Sequence, residues 1–290
     1  MDNVIILNFV TLTIFSLMLS VGLNRSLEQL TFLWSRPALL LRSLLAVIIL
    51  VPVVVGLLLR LFDLPPPVTT GLAVLAAAPG APLLIKRAEM AGGGPNYAAS
   101  LQLMLALLAV LVTPLILSAF GGFFELPTER VTPFEVALQV GEVTFLPVVI
   151  GLLIQRISPG IAGRIAKPVR VIANALLILL FLVVIVLVVV APDLRAMLWL
   201  GWLPTVVIII MVGVSLAIGH LLSGTPQERR SVLAVASIAR NVGLALFIAN
   251  LCDYGQQFIP TLLSYMILGA LLAVPYSVYS VWSKRQMTTL

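Results

Sequence analysis

The chain has 290 residues, of which 61% are hydrophobic and 10% are charged, and its mean hydropathy is +1.18. A soluble protein is roughly 45–50% apolar and about 25% charged, because its interior cannot hold more apolar side chain. The composition excludes a soluble fold and predicts an all-α polytopic membrane protein, with 1–290 as a single integral membrane domain. The net charge of +6 comes without a basic cluster interleaved with aromatic residues, so no nucleic-acid partner is expected.

The sequence offers little for catalysis or metal binding. The single cysteine, Cys252, excludes an internal disulfide and a cysteine-rich metal site. Metal-ligand spacings, a nucleophile elbow and a P-loop are all missing from the sequence. We therefore expect no cofactor and no enzymatic activity. The start of the chain lacks a basic region before its first apolar run, which we interpret as a retained helix and not as a signal peptide.

Apolar runs long enough to cross a bilayer recur nine times along the chain. A bilayer core of roughly 30 Å needs about 20 apolar residues per helix. The β-branched run from Val183 to Val190 would favour a strand in water, but an open strand in lipid leaves backbone groups unpaired, so we expect a helix. In chain order the predicted helices are 4–23, 39–62, 68–87, 97–121, 135–156, 170–191, 198–221, 229–251 and 257–283.

The charges predict the orientation of these helices. One set of alternate loops, with the carboxy-terminal tail, holds 13 of the 17 basic residues, and such loops remain in the cytoplasm. We therefore expect a multi-pass protein of the cell (inner) membrane, with the amino terminus outside and the carboxy terminus in the cytoplasm. The basic set is Arg25, Arg36, Arg42, Lys86, Arg87, Arg156, Arg164, Lys167, Arg170, Arg229, Arg230, Lys284 and Arg285. The outer side holds Arg60, Arg130 and Arg195 with Asp2, Asp63, Glu125, Glu129, Glu135, Asp193 and Asp253.

The third predicted helix contains a helix-breaking motif, Ala78-Pro79-Gly80-Ala81-Pro82. At 1.5 Å per residue, Pro79 lies roughly 16 Å below the outer end, near the membrane midplane. Proline removes a hydrogen-bond donor and clashes with the preceding turn, and glycine loosens the backbone further. A single proline would be typical of a packed kink, whereas two prolines around a glycine favour a discontinuous helix.

The eighth predicted helix has a matching interruption at Ser237-Ile238-Ala239-Arg240-Asn241-Val242-Gly243. The third and eighth helices run in opposite directions, and each is followed by a helix with a proline near its end, Pro114 or Pro275. This spacing predicts a degenerate inverted repeat. Paired interrupted helices in two inverted halves indicate a transport site at the midplane.

Two ionisable residues lie at depths where lipid disfavours charge. At 1.5 Å per residue, Glu142 is about 10 Å deep and Arg240 about 14 Å deep. An ionised side chain there costs at least ~2.5–3.5 kcal/mol and usually faces a cavity or a partner. One alternative is a buried ion pair that only fixes packing. The other, which we favour, is a pair across a cleft that closes when the site is empty and opens when an anion binds Arg240 or a proton binds Glu142.

Three other polar residues lie inside predicted helices. Gln102, Thr113 and Asn8 either contribute to a site or bond to neighbouring helices. The single histidine, His220, lies at a cytoplasmic helix end, where an interfacial role is expected.

At these residues the chain resembles the bile acid:sodium symporter superfamily over nearly its whole length. The resemblance implies a core of the second to fourth and seventh to ninth helices, in which the broken third and eighth helices cross. It also implies a panel of the first, fifth and sixth helices, with solute bound between core and panel and with alternating access. The motifs that carry it are Leu17-Met18-Leu19-Ser20-Val21-Gly22-Leu23, Ala76-Ala77-Ala78-Pro79-Gly80-Ala81, Val112-Thr113-Pro114-Leu115 and Arg240-Asn241-Val242-Gly243-Leu244-Ala245-Leu246.

The chain departs from this family at the residues that the resemblance implies for sodium binding. Small polar residues are implied after the Pro-Gly and hydroxyls in the next helix, where this chain has Ala81-Pro82-Leu83-Leu84-Ile85 and Met104-Leu105-Ala106. A Glu and a Gln are implied before Asn241, where this chain has Ala236 and Arg240. Sodium needs several oxygen ligands, and a guanidinium supplies none. We expect the family's fold and site location, without its sodium coupling.

Together these observations predict a secondary transporter that moves a small organic, anionic solute by alternating access. A proton is a candidate coupling ion, and membrane lipid is the surrounding solvent. The alternatives are a receptor or scaffold derived from a transporter fold, a sodium-dependent symporter with atypical ligands, and an intramembrane enzyme, which lacks a paired catalytic set. The predicted site residues are Arg240, Asn241, Glu142, Pro79, Gly80, Ala81, Pro82, Gln102 and Gly243.

Overall fold

The structure is a computed structural model that describes residues 2–124, 131–190, 198–252 and 254–288. Within these ranges the chain forms twelve helices and no strand. Their bounds are α1 Asp2–Asn24, α2 Leu27–Leu30, α3 Pro37–Leu61, α4 Pro66–Ala77, α5 Leu84–Met90, α6 Pro95–Phe124, α7 Pro133–Ile157, α8 Pro159–Val190, α9 Trp202–Leu222, α10 Gln227–Ile238, α11 Val242–Leu251 and α12 Gly255–Thr288. Six of the residues that were predicted to lie on the outer side of the membrane fall outside the described residues: Glu125, Glu129, Arg130, Asp193, Arg195 and Asp253.

Six segments of the described chain are long and apolar enough to cross a membrane. They are Pro37–Leu61, Pro95–Phe124, Pro133–Ile157, Trp202–Leu222, Gln227–Leu251 and Gly255–Gln286. Two shorter apolar helices, Phe9–Asn24 and Pro66–Ala77, overlap the first and third predicted helices. The chain is therefore an all-helical, multi-pass membrane protein. The count of nine spans remains a prediction.

One helix begins well before its predicted start. Helix α8 begins at Pro159, whereas the sequence analysis placed a loop up to residue 169. That loop was predicted to hold Arg164 and Lys167, and both residues are exposed on the helix. Proline inside a helix removes one hydrogen bond, and this helix continues through Pro168. The basic residues therefore lie on a helical extension and not on an irregular loop.

Two helices contain a π-helical turn just before a proline. In α3 the turn spans Leu45–Leu50 and precedes Pro52, and in α7 it spans Gly141–Phe145 and precedes Pro147. A π turn shifts each hydrogen bond by one residue, so the N–H of Val51 donates to the carbonyl of Ala46. Neither turn was anticipated from the sequence. The turn in α7 carries Glu142.

Helix α1 packs along α7 and α8, and glycines make this contact close. A Cβ atom added to Gly151 in α7 would lie 2.7 Å from the carbonyl oxygen of Leu19 and from the amide nitrogen of Leu23. Gly22 faces the same contact from the α1 side. Small residues let membrane helices approach closely enough for their backbones to touch. These helices are the ones that the resemblance assigns to a panel.

The predicted breaks in the third and eighth helices are present. The first separates α4 from α5 over residues 78–83, and the second separates α10 from α11 over residues 239–241. The buried apolar side chains form two clusters that divide at these breaks. One cluster contains Ala78 before the first break and Leu244 after the second, and the other contains Ala81 after the first break and Ala236 before the second.

Candidate functional site

The two helix breaks are in direct contact. The backbone N–H of Asn241 donates to the carbonyl of Ala78 over 2.8 Å. In a continuous helix Asn241 would donate to Ser237 instead, and Ala78 would have its own helical donor. Each break therefore supplies the hydrogen-bond partner that the other lacks. This pairing lets two unwound segments lie inside the protein without unsatisfied backbone groups.

The start of α11 is fixed by Asn241 itself. Its side-chain Oδ1 accepts a hydrogen bond from the N–H of Leu244 over 3.0 Å, which is an N-cap. The positive end of the α11 dipole therefore lies at the break. On the other break, Gly80 has a φ of +80°, and an added Cβ would lie 2.9 Å from the amide nitrogen of Ala106. Only glycine suits both constraints.

Arg240 is buried, with 3% of its surface exposed, and its guanidinium binds carbonyl oxygens from three helices. Both Nη1 and Nη2 donate to the carbonyl of Val47 in α3, over 3.3 and 3.2 Å. Nη1 also donates to Ala76 in α4 over 3.3 Å, and Nη2 also donates to Ser237 in α10 over 3.0 Å. We call these three oxygens the carbonyl cage.

Each oxygen of the carbonyl cage has lost its helical donor. In the π turn the N–H of Val51 donates to the carbonyl of Ala46 and not to that of Val47. Pro52 has no N–H, so the carbonyl of Val47 has no donor within its own helix. The carbonyl of Ala76 has no helical donor because the helix breaks after Ala77. The carbonyl of Ser237 has none because the N–H of Asn241 donates to Ala78 instead. The guanidinium satisfies all three. Nearby, the Tyr265 hydroxyl donates to the carbonyl of Ile238 over 2.9 Å.

A cavity of about 220 Å³ lies beside the crossing, and we call it the crossing cavity. Helix α1 contributes Thr11 and Ile14, and α7 contributes Glu142 from its π turn. The opposite wall comes from Pro82 and from the start of α11. Among the described lining residues Glu142 is the only ionisable one. The remaining lining residues are Val10, Gln139, Val140, Val143, Thr144, Asn241, Gly243, Leu244, Leu246, Phe247 and Asn250.

The predicted site residues are divided between this cavity and the structure behind it. Four of them line the crossing cavity: Glu142, Pro82, Asn241 and Gly243. Five do not: Pro79, Gly80, Ala81, Gln102 and Arg240. Pro79, Gly80 and Ala81 form the break, and Arg240 occupies the carbonyl cage. Gln102 is fully buried in α6, where its Nε2 lies 3.1 Å from the sulfur of Met18.

The expected ion pair between Arg240 and Glu142 is not formed in this structure, in which both side chains are described. Arg240 points to the carbonyl cage, and Glu142 is exposed to the crossing cavity. The three uncompensated carbonyl oxygens provide a partner for the guanidinium that the sequence analysis did not include. Arg240 therefore does not line the crossing cavity.

A second cavity of about 140 Å³ lies further along α1, and Pro82 lines both cavities. On α1 the crossing cavity ends at Ile14, and the second cavity begins at Leu17. The second cavity is more polar and more basic. Its charged lining residues are Arg25, Lys86, Glu89 and Arg170, and its polar ones are Ser20, Asn24 and Asn174.

Several cavity residues were not predicted from the sequence. Thr11, Gln139 and Asn250 are polar residues inside apolar segments, the same signal that singled out Gln102, Thr113 and Asn8. Of those positions, Thr113 is buried outside the crossing cavity, and the side chain of Asn8 lies outside the described residues. His220 bonds to the hydroxyl of Tyr276 over 2.9 Å at the end of α9.

Interrupted helices that meet inside a multi-pass bundle, next to a polar cavity, are the architecture of secondary transporters. Comparison with known sequences gives the family. The chain matches the profile of the sodium bile acid symporter family over residues 11–194, which is more than half of its length. The chain belongs to this family. No curated protein matches it.

The family is made up of transporters, so this chain is a transport protein of the membrane and not an enzyme. The matched region begins within α1 and contains α2 to α7, the described part of α8 and the first break. It ends before α9, so Arg240 and Asn241 lie beyond it. Their roles depend on the geometry of this chain.

Proposed function

We propose that the protein is a secondary transporter that moves a small organic, anionic solute by alternating access, without sodium coupling. The proposed architecture is a nine-span, inverted-repeat fold with its amino terminus outside, a panel of α1, α7 and α8, and a core built from the other spanning helices. The observation that carries the proposal is the pair of cavities that share Pro82. A solute in the crossing cavity is separated from the second cavity by Pro82 and the Ile14–Leu17 turn of α1.

Two features support an anionic solute. The amino-terminal end of α11, a favourable location for negative charge, borders the crossing cavity at Asn241 and Gly243. The second cavity has three basic residues and one acid, and Glu89 is already paired with Arg25 over 3.0 Å. Arg240 does not contribute directly, because its guanidinium is used by the carbonyl cage.

Glu142 supports a proton as the coupling ion. An ionised carboxylate in the crossing cavity repels an anionic solute, whereas a protonated one does not. Binding of the proton and binding of the solute therefore favour each other, which is the requirement for coupled transport. The carboxylate is exposed to the cavity and reachable by protons.

The absence of sodium coupling is supported by Arg240. A fixed cation occupies carbonyl oxygens at the crossing that would otherwise be available to a bound cation. A sodium-dependent symporter with atypical ligands is a second candidate, because Glu142, Thr11 and Asn250 bring side-chain oxygens to one cavity.

The test is solute flux in proteoliposomes. A thermal-shift screen of carboxylates, sulfonates and phosphate esters identifies candidate solutes, which are then measured for uptake and counterflow. We expect flux of an anion that continues when sodium is replaced by choline at constant pH. Collapse of uptake in choline would support the sodium candidate. Binding without flux would support a receptor.

A further inference from the structure

A large groove adjoins the second cavity, with which it shares Lys86, and has no lining residue in common with the crossing cavity. It has a volume of about 660 Å³ and lies between α5, α8, α10 and α12. We call it the α12 groove, because eight of its lining residues belong to that helix. Most of the lining is apolar. One hydroxyl, that of Ser277, is already bonded to the carbonyl of Ala273 over 2.8 Å.

One wall of the α12 groove is an exposed apolar stripe. Val274, Val278 and Trp282 follow each other at intervals of four residues and are 59%, 65% and 57% exposed. At 1.5 Å per residue this stripe is about 12 Å long. Exposed apolar side chains on a spanning helix face lipid acyl chains, which suits an acyl chain lying along the stripe.

Basic residues collect at the end of the stripe. Lys86 and Arg87 of α5 and Arg285 of α12 line the groove there, with no acid among the described lining residues. Among the residues that the structure describes, the side chains of Lys86 and Arg87 have no hydrogen-bond or ion-pair partner. The nearby acids are engaged elsewhere, Glu89 with Arg25 over 3.0 Å and Glu228 with Lys284 over 2.6 Å.

We propose that the α12 groove is a binding site for an anionic phospholipid. Its acyl chain lies along Val274, Val278 and Trp282, and its phosphate is held by Lys86 and Arg87. Basic pockets between membrane helices bind anionic head groups in this way, and the apolar stripe distinguishes a lipid from a soluble anion. The proposal does not depend on the transported solute.

The proposal is tested by native mass spectrometry of the purified protein with dioleoylphosphatidylglycerol. Dioleoylphosphatidylcholine serves as the zwitterionic lipid and glycerol 1-phosphate as the head group without chains. We expect preferential binding of the phosphatidylglycerol, about fivefold weaker in Arg87→Gln and weaker again with Lys86→Gln added. Arg164→Gln, an exposed basic residue outside the groove, should bind as the parent does.

A second variant tests the apolar part of the site with its cations intact. Ser277→Phe fills the groove and should lose the phosphatidylglycerol, and Arg87→Lys should retain it. Equal binding of the two phospholipids, equal loss in Arg87→Gln and Arg164→Gln, or undiminished binding in Ser277→Phe would each overturn the proposal. Displacement of the lipid by glycerol 1-phosphate at comparable concentration would assign the cations to a soluble anion instead.

Discussion

The amide of Asn241 and the carbonyl of Ala78 join two helix breaks that are far apart in the sequence, over 2.8 Å. The bond replaces the helical partner that each group has lost. Because the two breaks satisfy each other, the crossing is one structural unit, and a change in either break should disturb both. The crossing cavity opens beside this unit, so its shape depends on the same bond.

Arg240 is the second element that holds this unit together, which gives the first prediction. In Arg240→Ala the carbonyl oxygens of Val47, Ala76 and Ser237 lose their donors and a cavity remains. Each unsatisfied buried group costs about 1–3 kcal/mol, so we expect about 3 kcal/mol or more of destabilisation. The measurement is thermal unfolding of the purified protein in detergent.

Added guanidinium ion separates this role from a general loss of packing. At concentrations far below denaturing ones, it should restore part of the melting temperature of Arg240→Ala. The exposed Arg60, removed as Arg60→Ala, provides the control and should show no such rescue. If Arg240→Ala melts with the parent protein, the carbonyl cage does not stabilise the crossing.

The second prediction concerns Gly80, where two constraints act at once. Gly80→Ala places a side chain at a φ of +80° and brings its Cβ to 2.9 Å from the amide nitrogen of Ala106. The positive φ alone costs about 1–2 kcal/mol. The control is Gly92→Ala, where φ is +74° but the nearest atom is 3.5 Å away. We expect Gly80→Ala to melt at a lower temperature than Gly92→Ala, and equal melting would show that α6 yields to the added methyl group.

The breaks themselves were predictable from the sequence. Pro79 and Gly80 predict an interruption from local backbone chemistry alone, and the apolar runs predict helices wherever water is absent. The same local reasoning missed the helical start of α8, because Arg164 and Lys167 indicated a loop. The two basic side chains are exposed and keep their charges in water, and Pro168 costs the helix a hydrogen bond without ending it.

The direction of the Arg240 side chain could not be predicted in this way. Its main partner, the carbonyl of Val47, is free only because of a π turn in α3 and because Pro52 lacks an N–H. That combination belongs to a helix far away in the sequence. A charge in a membrane indicates that a partner exists, but only the fold shows whether the partner is a carboxylate, a solute or a set of carbonyl oxygens.

The third prediction tests whether the crossing cavity holds the solute. Gly243 lines it, and an added Cβ would lie 3.4 Å from Oδ1 of Asn241 and 3.8 Å from a methyl group of Ile14. Gly243→Val therefore narrows the cavity without a severe clash. We expect at least a tenfold loss of solute affinity, because each buried atom that no longer fits removes contacts.

Gly213→Val is the matched control for this substitution. Gly213 lies in the spanning helix α9, and an added Cβ there would meet nothing within 4 Å. Affinity from thermal-shift titration and flux in proteoliposomes are compared for the two variants. Equal affinities would place the solute outside the crossing cavity.

The last prediction concerns proton coupling through Glu142. In Glu142→Gln the side chain stays polar and similar in size, but it no longer exchanges a proton. If the proton must bind before an anion can share the cavity, the parent protein should take up solute faster as the external pH falls, and an inward proton gradient should drive accumulation. Glu142→Gln imitates the protonated form, so it should bind solute at all pH values, retain counterflow and lose both pH dependence and gradient-driven accumulation.

The control is Glu135→Gln on the same helix, where the amide preserves the capping contact with Thr132 outside the cavity. Unchanged pH dependence in Glu142→Gln would show that the coupling proton binds elsewhere.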